Sequence, residues 1–230
     1  MEKYVAVQEI GKGSYGSVQK IKKICDQDNG KFYCWKEINY GHMSEKERAQ
    51  IVSEINCLSK LNHANIVKYI EEIVNREEKK IYIVMEYCEN GDMAQLIKKC
   101  KAEKDFVAED VIWKIFMQIL LALRECHYRG IKGSKILHRD LKPSNVFFDC
   151  NNNVKLGDFG LSRIIKNDSG DDKSEAFAST NVGTPYYMSP EQIHENQYDE
   201  KTDIWSTGCV IYELVSLLPP FTARNHLALA

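Results

Sequence analysis

The sequence predicts an α+β protein of two lobes: a strand-rich front over residues 1–87 and a mostly helical back over 88–230, with a hinge at about 86–91. Three observations carry that prediction. Short runs of β-branched and aromatic residues, separated by glycine-bearing turns, fill the front. Apolar residues at helical spacing dominate the back. Between them, Glu89-Asn90-Gly91-Asp92 is a turn signal at which the pattern changes. A cleft at the joint of two such lobes is a natural seat for a ligand.

Taken in order, Tyr4 to Ile10 and Val18 to Ile24 read as strands flanking a glycine turn, and Phe32 to Ile38 as a third after Asp28-Asn29-Gly30. A helix starts at Ser44, where Glu47 three residues on completes a capping box. Ile51, Ile55 and Leu58 give it one apolar stripe. Ile66 to Ile73 and Ile81 to Tyr87 read as two more strands. In the back, Val111, Ile115, Ile119 and Leu123 mark a long buried helix, and Ile204, Ile211, Leu214 and Leu218 another. Asn167 to Glu175 is polar and acidic and reads as a mobile loop tip. No internal repeat is visible.

Composition narrows the class. A chain of 230 residues with a net charge of −2 buries a sizeable core and gives no reason to expect nucleic-acid or membrane-surface binding. Its eight cysteines are scattered without a C-x-x-C pair, the pattern of reduced thiols in a cytoplasmic or nuclear protein rather than a disulfide framework or zinc site. The longest apolar stretch, Ile115 to Leu123, is too short to span a bilayer and carries Gln118.

Three segments carry the chemistry. Gly11-Lys12-Gly13-Ser14-Tyr15-Gly16-Ser17-Val18 fits G-x-G-x-x-G-x-V between two strands, so that backbone without Cβ atoms at three points can lie close over phosphates. A dinucleotide-binding turn shares this spacing but needs a helix straight after the glycines, where Ser17 to Ile24 reads as strand. Lys36 stands mid-strand among apolar residues. Glu54 lies beside the Ile51/Ile55 stripe and faces inward, and an inward carboxylate needs a cation. Finally, His138-Arg139-Asp140-Leu141-Lys142-Pro143-Ser144-Asn145 is followed by Asp158-Phe159-Gly160.

In that order and combination these segments resemble the protein kinases. The resemblance implies an antiparallel front sheet with one main helix and a mostly helical back lobe. It also implies ATP and Mg2+ as cofactors, and transfer of the γ-phosphoryl group to protein hydroxyls. Lys36, oriented by Glu54, would hold the α- and β-phosphates. Asp140 would be the base or orienting group for the acceptor, Lys142 would neutralise γ-phosphoryl charge, and Asn145 and Asp158 would ligate magnesium, whose preference is for hard oxygens. Around the adenine, Met85 would be the gatekeeper, Glu86 and Cys88 would supply backbone hydrogen bonds, and Ile10, Val18, Cys34 and Phe147 would border the ring. Lys142 with Gly183-Thr184-Pro185 implies the serine/threonine class, Thr184 bonding Asp140 and Lys142.

Between Asp158 and Glu191 lie Ser162, Ser169, Ser174, Ser179 and Thr180. A phosphate on this segment would give Arg139 a dianionic partner, with Thr180, four residues before Thr184, the foremost candidate and Ser179 its neighbour.

The resemblance narrows further. Trp35 to Gly41, Ile83 to Asp92, Gly183 to Glu191 and Asp203-Ile204-Trp205-Ser206 are similar to the NIMA-related serine/threonine kinases, and the insert Arg129 to Lys135 to their centrosomal branch. This implies roles in cell-cycle, centrosome or cilium biology, and a homodimer only through a coiled coil outside these residues. A kinase catalytic domain normally continues beyond a point such as Ala230, so a truncated back lobe is expected, with Glu191 lacking its arginine. The alternative is a pseudokinase-like scaffold that binds nucleotide without turnover. Such scaffolds usually lose the equivalents of Lys36, Asp140, Asn145 or Asp158, all present here.

Overall fold

The computed structural model describes residues 3–13, 16–24, 30–129, 134–160, 162–166, 186–193, 199–223 and 226–229. Its front is a five-stranded antiparallel sheet in the order β1-β2-β3-β5-β4, formed by β1 Tyr4–Gly13, β2 Gly16–Lys23, β3 Phe32–Asn39, β4 Tyr69–Asn75 and β5 Lys80–Glu86. The front helix among the described residues, α1 Glu45–Lys60, starts as expected: Ser44 accepts from the Glu47 backbone and Glu47 reaches back to the Ser44 N–H.

Strand alternation sets what faces where. On β3, Tyr33 and Trp35 point to a small cluster with Tyr4, Ile21, Tyr82 and Val84, where the Trp35 and Tyr82 rings lie 4.9 Å apart. Ile38 joins the main core instead, so Lys36, two residues away, lies on the α1 side of the sheet. That core runs from Ile51 and Leu58 of α1 through Ile66 and Ile83 to Leu141, Phe159 and Val210, linking both ends of the molecule.

The back holds α2 Met93–Glu103, α3 Glu109–Arg124, α4 Pro190–Ile193, α5 Lys201–Ser216 and α6 His226–Leu229. Two short ribbons, β6 Ser134–Leu137 with β9 Arg163–Lys166 and β7 Val146–Phe148 with β8 Val154–Leu156, lie among them. The sequence patterning missed α2, although Asp92 caps it through the Gln95 N–H and Met93, Ile97 and Cys100 are buried at helical spacing. The ribbons escaped because three- and four-residue strands carry no periodicity.

Several expectations need correction. The strand expected from Ile66 begins at Tyr69: the segment before it turns away to bond β8, with Val67 N to Leu156 O at 2.9 Å and Leu156 N to Asn65 O at 2.8 Å. Ile115, Ile119 and Leu123 are buried as expected, but Val111 is exposed. Ile204 on α5 and Leu218 beyond its end are exposed, and the buried face of α5 runs through Asp203, Ser206, Thr207, Val210 and Leu214. Polar residues share that face because Asp203 is the anchor of the back lobe. Glu191 is not left bare, since it accepts a hydrogen bond from Thr202 Oγ1 at 3.0 Å. Burial would raise its pKa, but its own backbone N–H, Ser189 and Thr202 hold it below the usual value. The polar stretch 167–175 lies outside the described residues.

Asp203 is fully buried. Its carboxylate accepts from His138 N at 2.9 Å, Arg139 N at 2.8 Å and His127 Nε2 at 2.8 Å. An ionised carboxylate only accepts, so Nε2 of His127 carries the hydrogen. Burial alone would push the Asp203 pKa up, yet the His127 hydrogen bond, the nearby histidines and the Arg139 N–H hold it below the ordinary range. Asp203→Asn is therefore expected to cost about 3–5 kcal/mol at neutral pH, the size of breaking a buried charge network. A depressed carboxylate stabilises the fold above its unfolded pKa and loses that contribution as pH falls through the folded one. In urea unfolding, the gap between variant and wild type should accordingly narrow below about pH 4. A gap that does not change with pH would refute a charged Asp203.

Candidate active site

Lys36 reaches from β3 towards α1 and places Nζ 2.8 Å from Glu54 Oε1 and 3.2 Å from Asp158 Oδ1. Burial would lower the pKa of Lys36, but the Glu54 and Asp158 carboxylates hold it well above its ordinary value. Glu54 is 4% exposed, and burial pushes its pKa up against the pull of Lys36. Both shifts are upward, which favours the charged ammonium but the neutral carboxyl, and the 2.8 Å contact decides for an ionised pair. Asp158 is also raised by burial, but the Lys36 ammonium outweighs this and holds it below the carboxylate range. Its side chain is 43% exposed, so the carboxylate is still open to a ligand. Gly160 leaves the trio its room: a Cβ there would stand 3.2 Å from Asp158 Oδ1 and 3.4 Å from Glu54 Oε2.

The second cluster folds on itself. Lys142 Nζ donates to Asp140 Oδ2 at 2.7 Å, and Asn145 Nδ2 donates to Asp140 O at 2.7 Å and to Oδ2 at 3.1 Å. The two clusters are joined. Gly157 N donates to Asn145 O at 3.0 Å, and His138 Nε2 lies 3.0 Å from Gly157 O. The Asp140 N–H points at His138 Nδ1, 3.4 Å away, which makes Nε2 the protonated nitrogen and the donor to Gly157. The His138 ring packs on buried Phe159 at 4.8 Å. Pairing of Leu137 with Arg163 brings the chain after β6 beside the chain before β9, so Ser162 Oγ donates to His138 O at 3.2 Å. Ser162 is thus a buried structural hydroxyl. Arg139 and Asp158 have φ of 69° and 56°, a conformation that costs non-glycine residues energy and collects at functional sites.

The remaining predicted residues fall around these clusters. Ile10, Gly11, Lys12 and Gly13 end β1, Gly16 and Val18 start β2, and Ser14 and Tyr15 lie outside the described residues. At Gly16 the visible constraint is β3, since a Cβ would overlap the Glu37 carbonyl. Register pairs Val18 with Lys36 and Cys34 with Met85. Glu86 ends β5 and Cys88 follows it. Cys34 Sγ donates to Glu86 O at 3.3 Å, and burial pushes both thiols up, keeping them neutral. Phe147 on β7 bridges to Asp92 beyond the hinge. Thr180, Ser179 and Thr184 lie outside the described residues. Sequence reasoning missed Asp203 and His127. No residue spacing marks Asp203: it follows Asp199, Glu200, Lys201 and Thr202, a polar stretch that reads as solvated.

Comparison with known proteins agrees with this geometry. The chain is 51% identical over 229 residues to "Serine/threonine-protein kinase Nek2" of Homo sapiens, covering 100% of this chain and 49% of that protein. The Mus musculus protein of the same name is 50% identical over 230 residues, covering 100% and 50%. "G2-specific protein kinase nimA" of Emericella nidulans is 42% identical over 250 residues, covering 99% and 34%. The chain thus spans about half the length of the Nek2 proteins it matches. Residues 4–229 match the protein kinase domain, and the chain belongs to that family.

Proposed function

We propose that this chain is the catalytic portion of a NIMA-related serine/threonine kinase, transferring the γ-phosphoryl group of ATP to protein hydroxyls. One observation carries the proposal: the Lys36–Glu54–Asp158 trio and the Asp140–Lys142–Asn145 cluster are locked together through Gly157 and His138. In this proposal residues 1–87 form the front lobe and 88–230 the back lobe, hinged at 86–91. ATP lies between them. Its adenine meets the Glu86 and Cys88 backbone beside Met85, between Ile10, Val18 and Cys34 on one side and Phe147 on the other. Its phosphates lie under Gly11 to Gly16.

Lys36 holds the α- and β-phosphates, kept in place by Glu54. Asp140 takes or orients the proton of the substrate hydroxyl as the new O–P bond forms and the bond to the departing ADP breaks, with Lys142 offsetting charge on the phosphoryl oxygens. The donor set suits magnesium. Asp158 spends one oxygen on Lys36 and stays open, and Asn145 turns its Nδ2 to Asp140, leaving its carbonyl oxygen for a metal. When bound, Mg2+ would supply charge neutralisation along the phosphates. Thr184 fixes the acceptor, and phosphorylation of Thr180, with Ser179 as its neighbour, gives Arg139 an anionic partner. The relatives named for G2 and for Nek2 support a place in cell division, with cytoplasmic, nuclear or centrosomal residence. No helix among the described residues is long and apolar enough to cross a membrane.

Lys36→Met and Asp158→Ala should each lower transfer from labelled ATP to a generic basic protein by about 10²-fold or more, while both variants remain folded. In Lys36→Met, Glu54 can stay buried by taking a proton. Near-normal transfer by either variant would remove that residue from the mechanism. A folded wild-type chain that binds ATP and transfers nothing would reject the enzyme in favour of a scaffold.

Phosphosite mapping of active protein should find Thr180 modified, and Thr180→Ala should reduce activity. An unmodified Thr180 together with a fully active Thr180→Ala would end the switch proposal.

A further inference from the structure

Every polar atom of Glu86 has a partner. Its N–H donates to Lys68 O at 3.0 Å and its carbonyl accepts from Cys34 Sγ. Its Oε1 accepts from Lys68 N at 2.6 Å, and Lys155 Nζ sits on both carboxylate oxygens at 2.9 and 3.0 Å. The Glu86 and Lys155 side chains are 20% and 13% exposed, so this pair is shielded beyond the ordinary surface ion pair, which contributes little.

The position of Lys155 gives the contact its meaning. It stands on β8, three residues before Asp158. The same strand receives Val67 N and Asn65 Nδ2 on the carbonyls of Leu156 and Val154, and gives Leu156 N to Asn65 O. Segment 65–68 therefore lies between the hinge end of β5 and the strand that delivers Asp158, and Lys155 closes the gap between the two. The next hinge residue, Tyr87, is tied the other way: Lys20 of β2 lies 4.4 Å from its ring centre and 3.9 Å from that of Phe32.

We propose that Lys155 is a positioning residue for nucleotide binding, which acts through the Glu86 carboxylate to hold the hinge backbone at a fixed distance from Asp158. It sets the separation between the adenine end and the phosphate end of the cleft without touching the nucleotide. The proposal rests on the ATP-binding kinase reading above, and names a residue that reading does not use.

The test is titration calorimetry of Mg-ATP and Mg-ADP against the whole chain. Lys155→Met, which keeps the aliphatic stem and loses the charge, should weaken both by about five- to tenfold. Lys155→Arg should bind within about twofold of wild type, because it still places donors on the carboxylate. Glu86→Gln keeps the acceptor for Lys68 N but loses the ionic partner, and it should weaken binding similarly. The double variant Glu86→Gln/Lys155→Met should be no worse than either single one. In turnover assays KM for ATP should rise while kcat holds.

Wild-type affinity in Lys155→Met, or an equal loss in Lys155→Arg, would overturn the proposal. So would a rise in kcat at unchanged KM, which would make the contact a restraint on lobe motion. Should Lys155→Met fail to fold, Glu86→Gln decides alone. A wild-type chain that binds neither nucleotide would instead overturn the kinase reading, and this inference with it.

Discussion

A single buried carboxylate governs the geometry of the back lobe. Placing the Asp203 charge in a dry interior is costly, and it is tolerated because three donors converge on it: the backbone N–H groups of His138 and Arg139 and the His127 ring. Two of those donors belong to the loop that carries Asp140. The need to satisfy one buried charge thus fixes the orientation of the peptide immediately before the candidate base. It also accounts for the φ of 69° at Arg139, a conformation that alone would relax but is over-determined when both neighbouring N–H groups are held. Asparagine would fill the same space, but its NH2 group would face donors that need an acceptor.

The front lobe uses charge in a different way. Lys36, Glu54 and Asp158 come from β3, α1 and the chain after β8, elements far apart in sequence. Ile38, Ile51, Leu58 and Phe159 pack these three elements into one core, but apolar contact, being non-directional, does not align them at one point. The ionised trio does, because Glu54 is too deeply buried to remain charged without Lys36. Asp158 then completes a partly open site, with its side chain 43% exposed. A buried ion pair is seldom worth much as net stability, and its value here is in specifying position.

Much of the fold was legible because it obeys simple periods. The capping box at Ser44, the alternation on β3 and the inward face of α1 follow from residue spacing, and the pairing of Lys36 with Glu54 followed from two anomalies explaining each other. Several of the failures share one cause. The apolar stripe predicted a helix face running from Ile204 to Leu218, whereas α5 ends at Ser216 and its buried face is decided by Asp203 and carries Ser206 and Thr207 with it. Polar burial is invisible to hydrophobic periodicity, since whether a carboxylate can be buried depends on donors brought from elsewhere by the fold. The buried place of Ser162 escaped for the same reason, because its acceptor, the His138 carbonyl, is supplied by ribbon pairing between β6 and β9. Ile66 and Val67 had strand composition, yet their partner is β8 of the other lobe. Only tertiary structure could show that.

These anchors divide the labour of the cleft along its length. In the proposed reaction, Asp203 fixes the loop that the acceptor oxygen would approach, and the trio fixes the place the phosphates would take. Glu86, held by Lys68 and Lys155, fixes the hinge. Each is a carboxylate shielded from water and satisfied by donors from segments remote in sequence. Each therefore ties together parts that apolar packing alone would leave free to slide, because dispersion contacts are short-ranged but not directional. A cleft that must hold a long, flexible, highly charged molecule in one alignment needs directional restraints at both ends and in the middle. Asp158 sits at the meeting point of all of them: the Lys36 ammonium holds its side chain, and its backbone continues from Gly157, which Asn145 and His138 both grip. Displacing any anchor would be felt first as a shift of that one carboxylate, before any loss of the fold.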